Sequence, residues 1–301
     1  MAVIAEPEQL SERERIIALL QGASLELSAR DLTDIEACVP LLDPGAAIYI
    51  SMPPGQTYLS SVMLAARIRR AGFRAVPHIA ARQLASTAVL DDFLARLAGE
   101  TDVDSALLVA GDWDRPCGPF ASSAALLETG LFQRHGIVNI GVAGYPEGHP
   151  VVATDQLDAA LSEKKSLALR TGLTLWVVTQ FCFEAEPVLA WAARHKGLDL
   201  PVRVGVAGPA SLTKLLRFAA HCGVGGSVRA LRARPGAMAR LMTEAGPEAM
   251  LRELAQRVAP PITGMHFYCF GGLAHTARWL RAMQDGRFEL VANGDVRVGI
   301  S

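Results

Sequence analysis

The chain has 301 residues, of which 50% are hydrophobic and 20% charged, and its 29 basic and 30 acidic side chains leave a formal charge of −1. Disordered chains combine low hydrophobicity with high net charge, and nucleic-acid binders usually carry a basic surplus; this composition excludes both classes. No segment reaches the roughly 18–20 uncharged apolar residues that a membrane helix needs. The N-terminal stretch MAVIAEPEQLSERER interleaves charges where a signal peptide requires an apolar centre, so the expectation is a soluble, cytoplasmic protein. Cys38, Cys117, Cys182, Cys222 and Cys269 lack any C-x-x-C spacing and read as reduced thiols.

In chain order, an N-terminal helix near 10–21 precedes the apolar runs SLELSA (24–29), AAIYISM (46–52), RAVPHIA (74–80) and SALLVAGD (105–112). IVNIGVAGYP (137–146), LTLWVVTQF (173–181), PVRVGVAG (201–208) and GMHFYCF (264–270) follow. Each has the length and composition of a strand buried on both faces. Helical periodicity fills the intervals near 57–71, 84–99, 155–171 and 186–197. Thr57, Asp155 and Ser211 stand where N-caps belong, and Gly72 and Gly197 where helices end.

Eight strand-like runs alternating with helices predict parallel β/α units. A doubly wound sheet would need fewer strands and a glycine-rich first turn. The chain therefore reads as one domain over 1–301, a single eight-stranded parallel β/α (TIM) barrel. Residues 1–22 are expected to form an N-terminal helical extension, and 223–247 an irregular insertion before the last strand. The tail FELVANGDVRVGIS suits either a short closing strand or packing under the barrel.

Reaction sites of such barrels lie at the C-terminal ends of the strands. That rule selects Glu26, Ser51, His78, Asp112, Tyr145 with Glu147 and His149, Gln180 and Tyr268. Burying polar groups without partners is costly, so a cluster of them at one rim points to a site. Each has a plainer reading alone: a core histidine for His78, a helix cap for Asp112, packing aromatics for Tyr145 and Tyr268. An edge position would explain Glu26, but a closed barrel has no free edge. GPASLTK (208–214) brings a helix N-terminus and Lys214 to the same rim, suited to an anionic tail or simply an ordinary turn. No phosphate-binding loop or zinc-protease motif is present, and the histidines are scattered without metal-ligand spacing.

GYPEGHP, the following helix with an aspartate and a lysine, and then TQFCF resemble the methylenetetrahydrofolate reductase family. SLELSA, PHIA, AGD and HFY resemble its first, third, fourth and eighth strands, in order from about residue 24 to 270. The resemblance implies a β/α barrel that uses FAD and NADH or NADPH to reduce 5,10-methylenetetrahydrofolate to 5-methyltetrahydrofolate. It implies that Glu26 is the general acid, that Asp112 lies near folate and flavin, and that Gln180 bonds the pterin. Tyr268 matches a position contacting nicotinamide or folate. Ser51, His78, Ala143, Tyr145, His149, Asp158 and Lys165 match positions that contact FAD.

The chain departs from the family's pattern at several points. Ala110 stands in place of an arginine before Gly111 and Asp112, Leu161 in place of an asparagine, and Gly272 in place of an arginine. Extra residues follow Asp112 (WDRPCGP) and Lys165, and Arg115 or Lys214 are candidates to replace a lost cation. A flavin-free enzyme with direct hydride transfer from NAD(P)H is therefore an alternative. A flavin amine oxidase resembling proline dehydrogenase, a folate-dependent methyltransferase barrel and a folate-binding regulator are others. The expected partners are a small-molecule folate and further copies of the chain in a homo-oligomer, with no nucleic acid, membrane or metal.

Overall fold

The computed structural model of the protein describes residues 10–27, 34–221, 244–291 and 296–299. Eight parallel strands close into a barrel: β1 (Ser24–Leu27), β2 (Ala47–Ile50), β3 (Arg74–Ala80), β4 (Ser105–Val109), β5 (Asn139–Gly144), β6 (Thr174–Thr179), β7 (Val202–Ala207) and β8 (Ile262–Tyr268). Each strand pairs with its sequence neighbours, and β8 pairs with β1 to complete the ring. All eight apolar runs become barrel strands. A closed ring leaves no edge to template aggregation.

The helices are α1 (Glu12–Leu20), α2 (Tyr58–Arg70), α3 (Thr87–Thr101), α4 (Ser123–Leu127), α5 (Leu131–Arg134), α6 (Thr154–Thr171), α7 (Ala185–His195), α8 (Leu212–His221), α9 (Glu248–Arg257) and α10 (Leu273–Gln284). Local chemistry sets their ends. Ser11 and Glu14 form a capping box on α1, Thr57 accepts from the Ser60 N–H at α2, and Ser86 accepts from the Val89 N–H at α3. Gly72 follows α2 with φ +88°, a left-handed conformation that glycine adopts without strain. Asp155 differs from its expected role: α6 starts one residue earlier, with Ala153 at the cap, so Asp155 lies in the first turn. There a carboxylate favours the helix dipole instead of capping an N–H two or three residues ahead. Gly197 falls inside a short 3-10 turn at Lys196–Leu198 beyond α7.

Strand alternation separates two clusters of the core, beside a third made by Phe181, Ala207, Ala210, Leu212 and Leu215. Outward residues such as Leu25, Ile48, Ile79, Leu108, Val142, Val177, Val204 and Phe267 pack against the helices. Inward residues form a separate cluster inside the ring: Tyr49, Val76, Leu107 and Val178, with Ala47, Val109 and Trp176 beside them. The barrel is thus a filled cylinder, not a pore. Gly141 makes room for this filling, since a Cβ there would lie 2.8 Å from Leu107 Cδ1 and 2.9 Å from the Trp176 ring.

α1 packs against α9 and α10. Arg252 reaches Glu12 at 2.6 Å, and Gln284 donates to the Leu20 carbonyl at 2.9 Å. The tail forms neither a ninth barrel strand nor a bare coil: Phe288–Leu290 and Val296–Val298 pair antiparallel with each other, with Phe288 buried against the α1 side. Most of the expected insertion at 223–247 lies outside the described residues, as does Cys222; Glu244–Ala245 pairs with Ala210–Ser211 in a two-residue ribbon. No helix among the described residues is long and apolar enough to cross a membrane.

Candidate active site

The register of β1 and β8 sets Ser24 opposite His266 and Glu26 opposite Tyr268. Glu26, Tyr49, His78, His266 and Tyr268 share the inward parity of their strands, so their side chains converge at the C-terminal half of the barrel. The Glu26 side chain is only 15% exposed. Its Oε2 lies 3.3 Å from His78 Nε2 and 3.5 Å from His266 Nε2. The His78 nitrogen is buried and off the line of a hydrogen bond. The Tyr49 ring lies beneath, with its centroid 4.5 Å from that of His266, and its hydroxyl accepts from the Trp176 indole N–H at 3.1 Å.

Burial governs the charge of this cluster. His266 is fully buried; desolvation, aided by the charge of Arg203, pushes its pKa down to about 3. Desolvation also lowers His78, against the opposing pull of Glu26 and with a smaller push from His266. Both imidazoles are therefore neutral at neutral pH. Among the described residues, no three or more His, Cys, Asp or Glu side chains are arranged to hold a metal.

Tyr268 stands over the cluster, its ring edge-on to His266 at 4.9 Å and its hydroxyl donating to the Thr179 carbonyl at 3.0 Å. Gly205 makes this placement possible. A Cβ there would sit 2.1 Å from the Thr179 oxygen and 2.8 Å from Tyr268 Cε2. An aromatic wall continues from Tyr268: Phe181 lies 5.5 Å from it and 5.0 Å from Phe270, which stacks on Phe218 of α8 at 4.2 Å.

The other anticipated rim residues divide into two groups. Ser51, just beyond β2, donates its hydroxyl to the Leu27 carbonyl at 3.0 Å, one residue from Glu26. Ala143 faces inward on β5, and Tyr145 and His149 follow that strand with their rings edge-to-face at 5.2 Å. Burial and the charge of Arg82 hold His149 below the usual histidine range. Gln180 follows β6, and its side-chain oxygen accepts from the Phe181 N–H at 3.0 Å. Asp112 is exposed in the loop after β4, following Gly111 at φ +90°. Lys214 is exposed in the first turn of α8, and Arg115 is exposed in the Asp112 loop.

Asp158 and Lys165 are not brought to this cluster. Asp158 accepts from His195 at 2.8 Å and pairs with Arg194 at 3.3 Å, which ties α6 to the end of α7. Lys165 donates to the Leu198 carbonyl, in the turn that enters β7 from the opposite end of the barrel. Leu161, between them, is buried in the core. A flavin held along α6 would need polar groups free to meet it, and these are committed to the protein or replaced by leucine. The α6 positions do not fit FAD. Gly272, where an arginine was expected, instead opens α10 at φ +110°.

Several members of the site carried no signal of their own. Ser24, Tyr49 and His266 each lie two residues before an anticipated position, and the period-two alternation of a strand would have placed them on its face. Arg82 was missed because it follows β3: its guanidinium donates to the carbonyls of Trp113 and Ala121, both at 3.1 Å, and so anchors the Asp112 loop.

No protein-family model matches the chain. Among solved structures it is similar to a conserved protein of unknown function from Enterococcus faecalis, at TM-score 0.47 and 11% identity over 87% of this chain. The chain spans only 65% of that protein. A chitinase from Rhizomucor miehei shows TM-score 0.49 and 14% identity, over 89% of this chain and all of the other. A sugar phosphate isomerase/epimerase from Parabacteroides distasonis shows TM-score 0.37 and 10% identity, over 87% of this chain and 94% of the other. These similarities assign neither substrate nor chemistry.

Proposed function

We propose that the chain is a cytoplasmic folate-linked oxidoreductase that interconverts 5,10-methylenetetrahydrofolate and 5-methyltetrahydrofolate. The observation that carries this reading is Glu26: an inward, shielded carboxyl beside two neutral imidazoles at the active end of a barrel. In the reducing direction its proton goes to the folate's bridging anilinic nitrogen. The bond from that nitrogen to the methylene carbon breaks, leaving an iminium. A hydride from NADH or NADPH adds to the iminium carbon and gives the methyl group. One proton and one hydride are consumed, and the nicotinamide leaves oxidised.

The side chains around Glu26 suit that substrate. The amide N–H groups of Gln180 match the acceptor edge of a pterin, and exposed Asp112 suits its amino groups. Tyr268 and the aromatic wall offer apolar surface to flat rings. Exposed Lys214 suits the carboxylates of the folate tail. Because the α6 positions do not fit a flavin, the hydride is assigned to the nicotinamide directly. The test is anaerobic turnover of 5,10-methylenetetrahydrofolate with NADH or NADPH by the purified, colourless protein. Formation of 5-methyltetrahydrofolate without added flavin is the expected result; absence of turnover with both nucleotides, in both directions, overturns the reading.

A further inference from the structure

The aromatic wall of Phe181, Tyr268 and Phe270 follows β6 and β8. β4 stands opposite β8 in the closed ring, and the loop that follows it carries another aromatic ring. Trp113 lies just past Val109, where β4 ends, and is 36% exposed. The other three tryptophans are buried or half-buried. Among the described residues, the Trp113 indole has no hydrogen bond or ring contact. The backbone beneath it is braced from β3. Arg82 donates through Nη1 to the Trp113 carbonyl and through Nε to the Ala121 carbonyl, both at 3.1 Å. The Arg82 N–H donates to the Ala110 carbonyl and its carbonyl accepts from the Cys117 N–H, both at 2.9 Å. At Gly118 a Cβ would fall 2.5 Å from the Ala85 carbonyl, so glycine lets the loop lie directly on that backbone. An exposed ring on a braced backbone is a preorganised stacking surface, with little loop freedom left to lose on binding.

We propose that Trp113 is the platform on which the adenine ring of NADH or NADPH stacks, so that the loops after β3, β4 and β5 form the cofactor side of the mouth. This deepens the proposed function and rests on it for the identity of the cofactor. Hydride transfer needs two flat ligands that meet over Glu26 from different sides, and the wall on β6 and β8 occupies one of them. The nicotinamide must reach the folate beside shielded Glu26, so the adenosine end is the one that remains at the rim. The chemistry around Trp113 suits a nucleotide. Exposed Asp112 and Asp114 flank the indole, and carboxylates accept from ribose hydroxyls and the adenine amino group. Arg115 is exposed beside them, and a guanidinium suits the phosphates that join the two nucleosides. The charge of Arg82 reaches His149 after β5; burial and that charge keep the imidazole neutral. Its Nδ1 accepts from the Val151 N–H at 3.3 Å, so Nε2 carries the proton and supplies a donor on the same side.

The experiment is calorimetric titration of the full chain with ADP-ribose, which keeps the adenosine and both phosphates but lacks the nicotinamide. Trp113→Leu removes the flat ring, and Trp113→Phe retains one. The loop is braced through the Trp113 carbonyl, which every substitution preserves, so thermal unfolding should stay in place. ADP-ribose and NADH or NADPH are expected to bind the wild type and to weaken about tenfold in Trp113→Leu, the size of one lost base-stacking contact. Trp113→Phe should recover most of that loss, and affinity for 5-methyltetrahydrofolate should be unchanged in both variants. Wild-type protein that does not bind ADP-ribose, or an unchanged ADP-ribose affinity in Trp113→Leu, overturns the proposal. So does an equal loss in Trp113→Phe, or a loss for NADH without one for ADP-ribose. ADP-ribose carries no hydride, so the two readings fail separately. Binding that depends on Trp113 without folate turnover removes the proposed function and keeps this site; turnover with unchanged ADP-ribose affinity in Trp113→Leu does the reverse.

Discussion

Glu26 Oε2 and His266 Nε2 face each other at 3.5 Å across the seam where β8 closes onto β1. The two residues are 240 positions apart, and only closure of the ring brings them together. Glu26→Gln keeps the shape of the side chain and removes the proton that the proposed function assigns to it. Turnover should fall by about 10²–10⁴-fold, the usual contribution of a general acid. Folate affinity and thermal unfolding should change little, which calorimetry on the same samples would check.

Gly205 is required by the ring it accommodates. Gly205→Ala would place a methyl 2.1 Å from the Thr179 carbonyl and 2.8 Å from Tyr268. Backbone cannot yield as a flexible side chain does, so the expected cost is about 1–3 kcal/mol in denaturant unfolding. Tyr268 would be displaced, and the KM for folate should rise more than the KM for the nucleotide.

The buried histidine also sets a pH dependence of stability. His266 is neutral when folded, with a pKa of about 3 against 6.5 in a model peptide. The unfolded chain therefore takes up a proton first as the pH falls. The stability involved is fully present above pH 6.5 and is lost progressively toward pH 3. Between pH 7.5 and 5 this one residue should remove about 2 kcal/mol. Urea unfolding at the two pH values measures the loss, and His266→Asn should show a smaller one.

The polar groups of α6 are expected to serve the fold. Lys165→Met should leave the KM values and kcat unchanged, because its ammonium is bound to the Leu198 carbonyl. Asp158→Ala leaves buried His195 without its carboxylate partner and should cost about 1–3 kcal/mol in stability. Loss of turnover in Lys165→Met with the melting temperature preserved would return α6 to the cofactor site.

The barrel was legible because its signal is cooperative. Eight runs such as RAVPHIA and LTLWVVTQF each carry a weak strand pattern, and their alternation with helices admits few other architectures. Glu26, His78 and Tyr268 were legible for a similar reason: polar groups inside apolar strands stand out. The sequence alone could not pair Glu26 with His266, since that contact depends on the closing register. Nor could it distinguish Asp112, exposed on its loop, from an inward residue such as Gln180, because both simply follow a strand. Asp158 and Lys165 show the converse. Their spacing on a helix resembles a cofactor site, while the partners that occupy them, His195 and Leu198, come from the next unit of the chain.

The central claim is hydride transfer from nicotinamide to a folate carbon, primed by a proton from Glu26. Its most direct test is turnover of 5,10-methylenetetrahydrofolate with NADH or NADPH carrying deuterium at the transferable C4 position, with mass spectrometry of the product. The expected result is one deuterium in the methyl group of 5-methyltetrahydrofolate, without washout to solvent, and a rate that collapses in Glu26→Gln. A methyl group free of the label, or an unchanged rate in Glu26→Gln, would contradict the account.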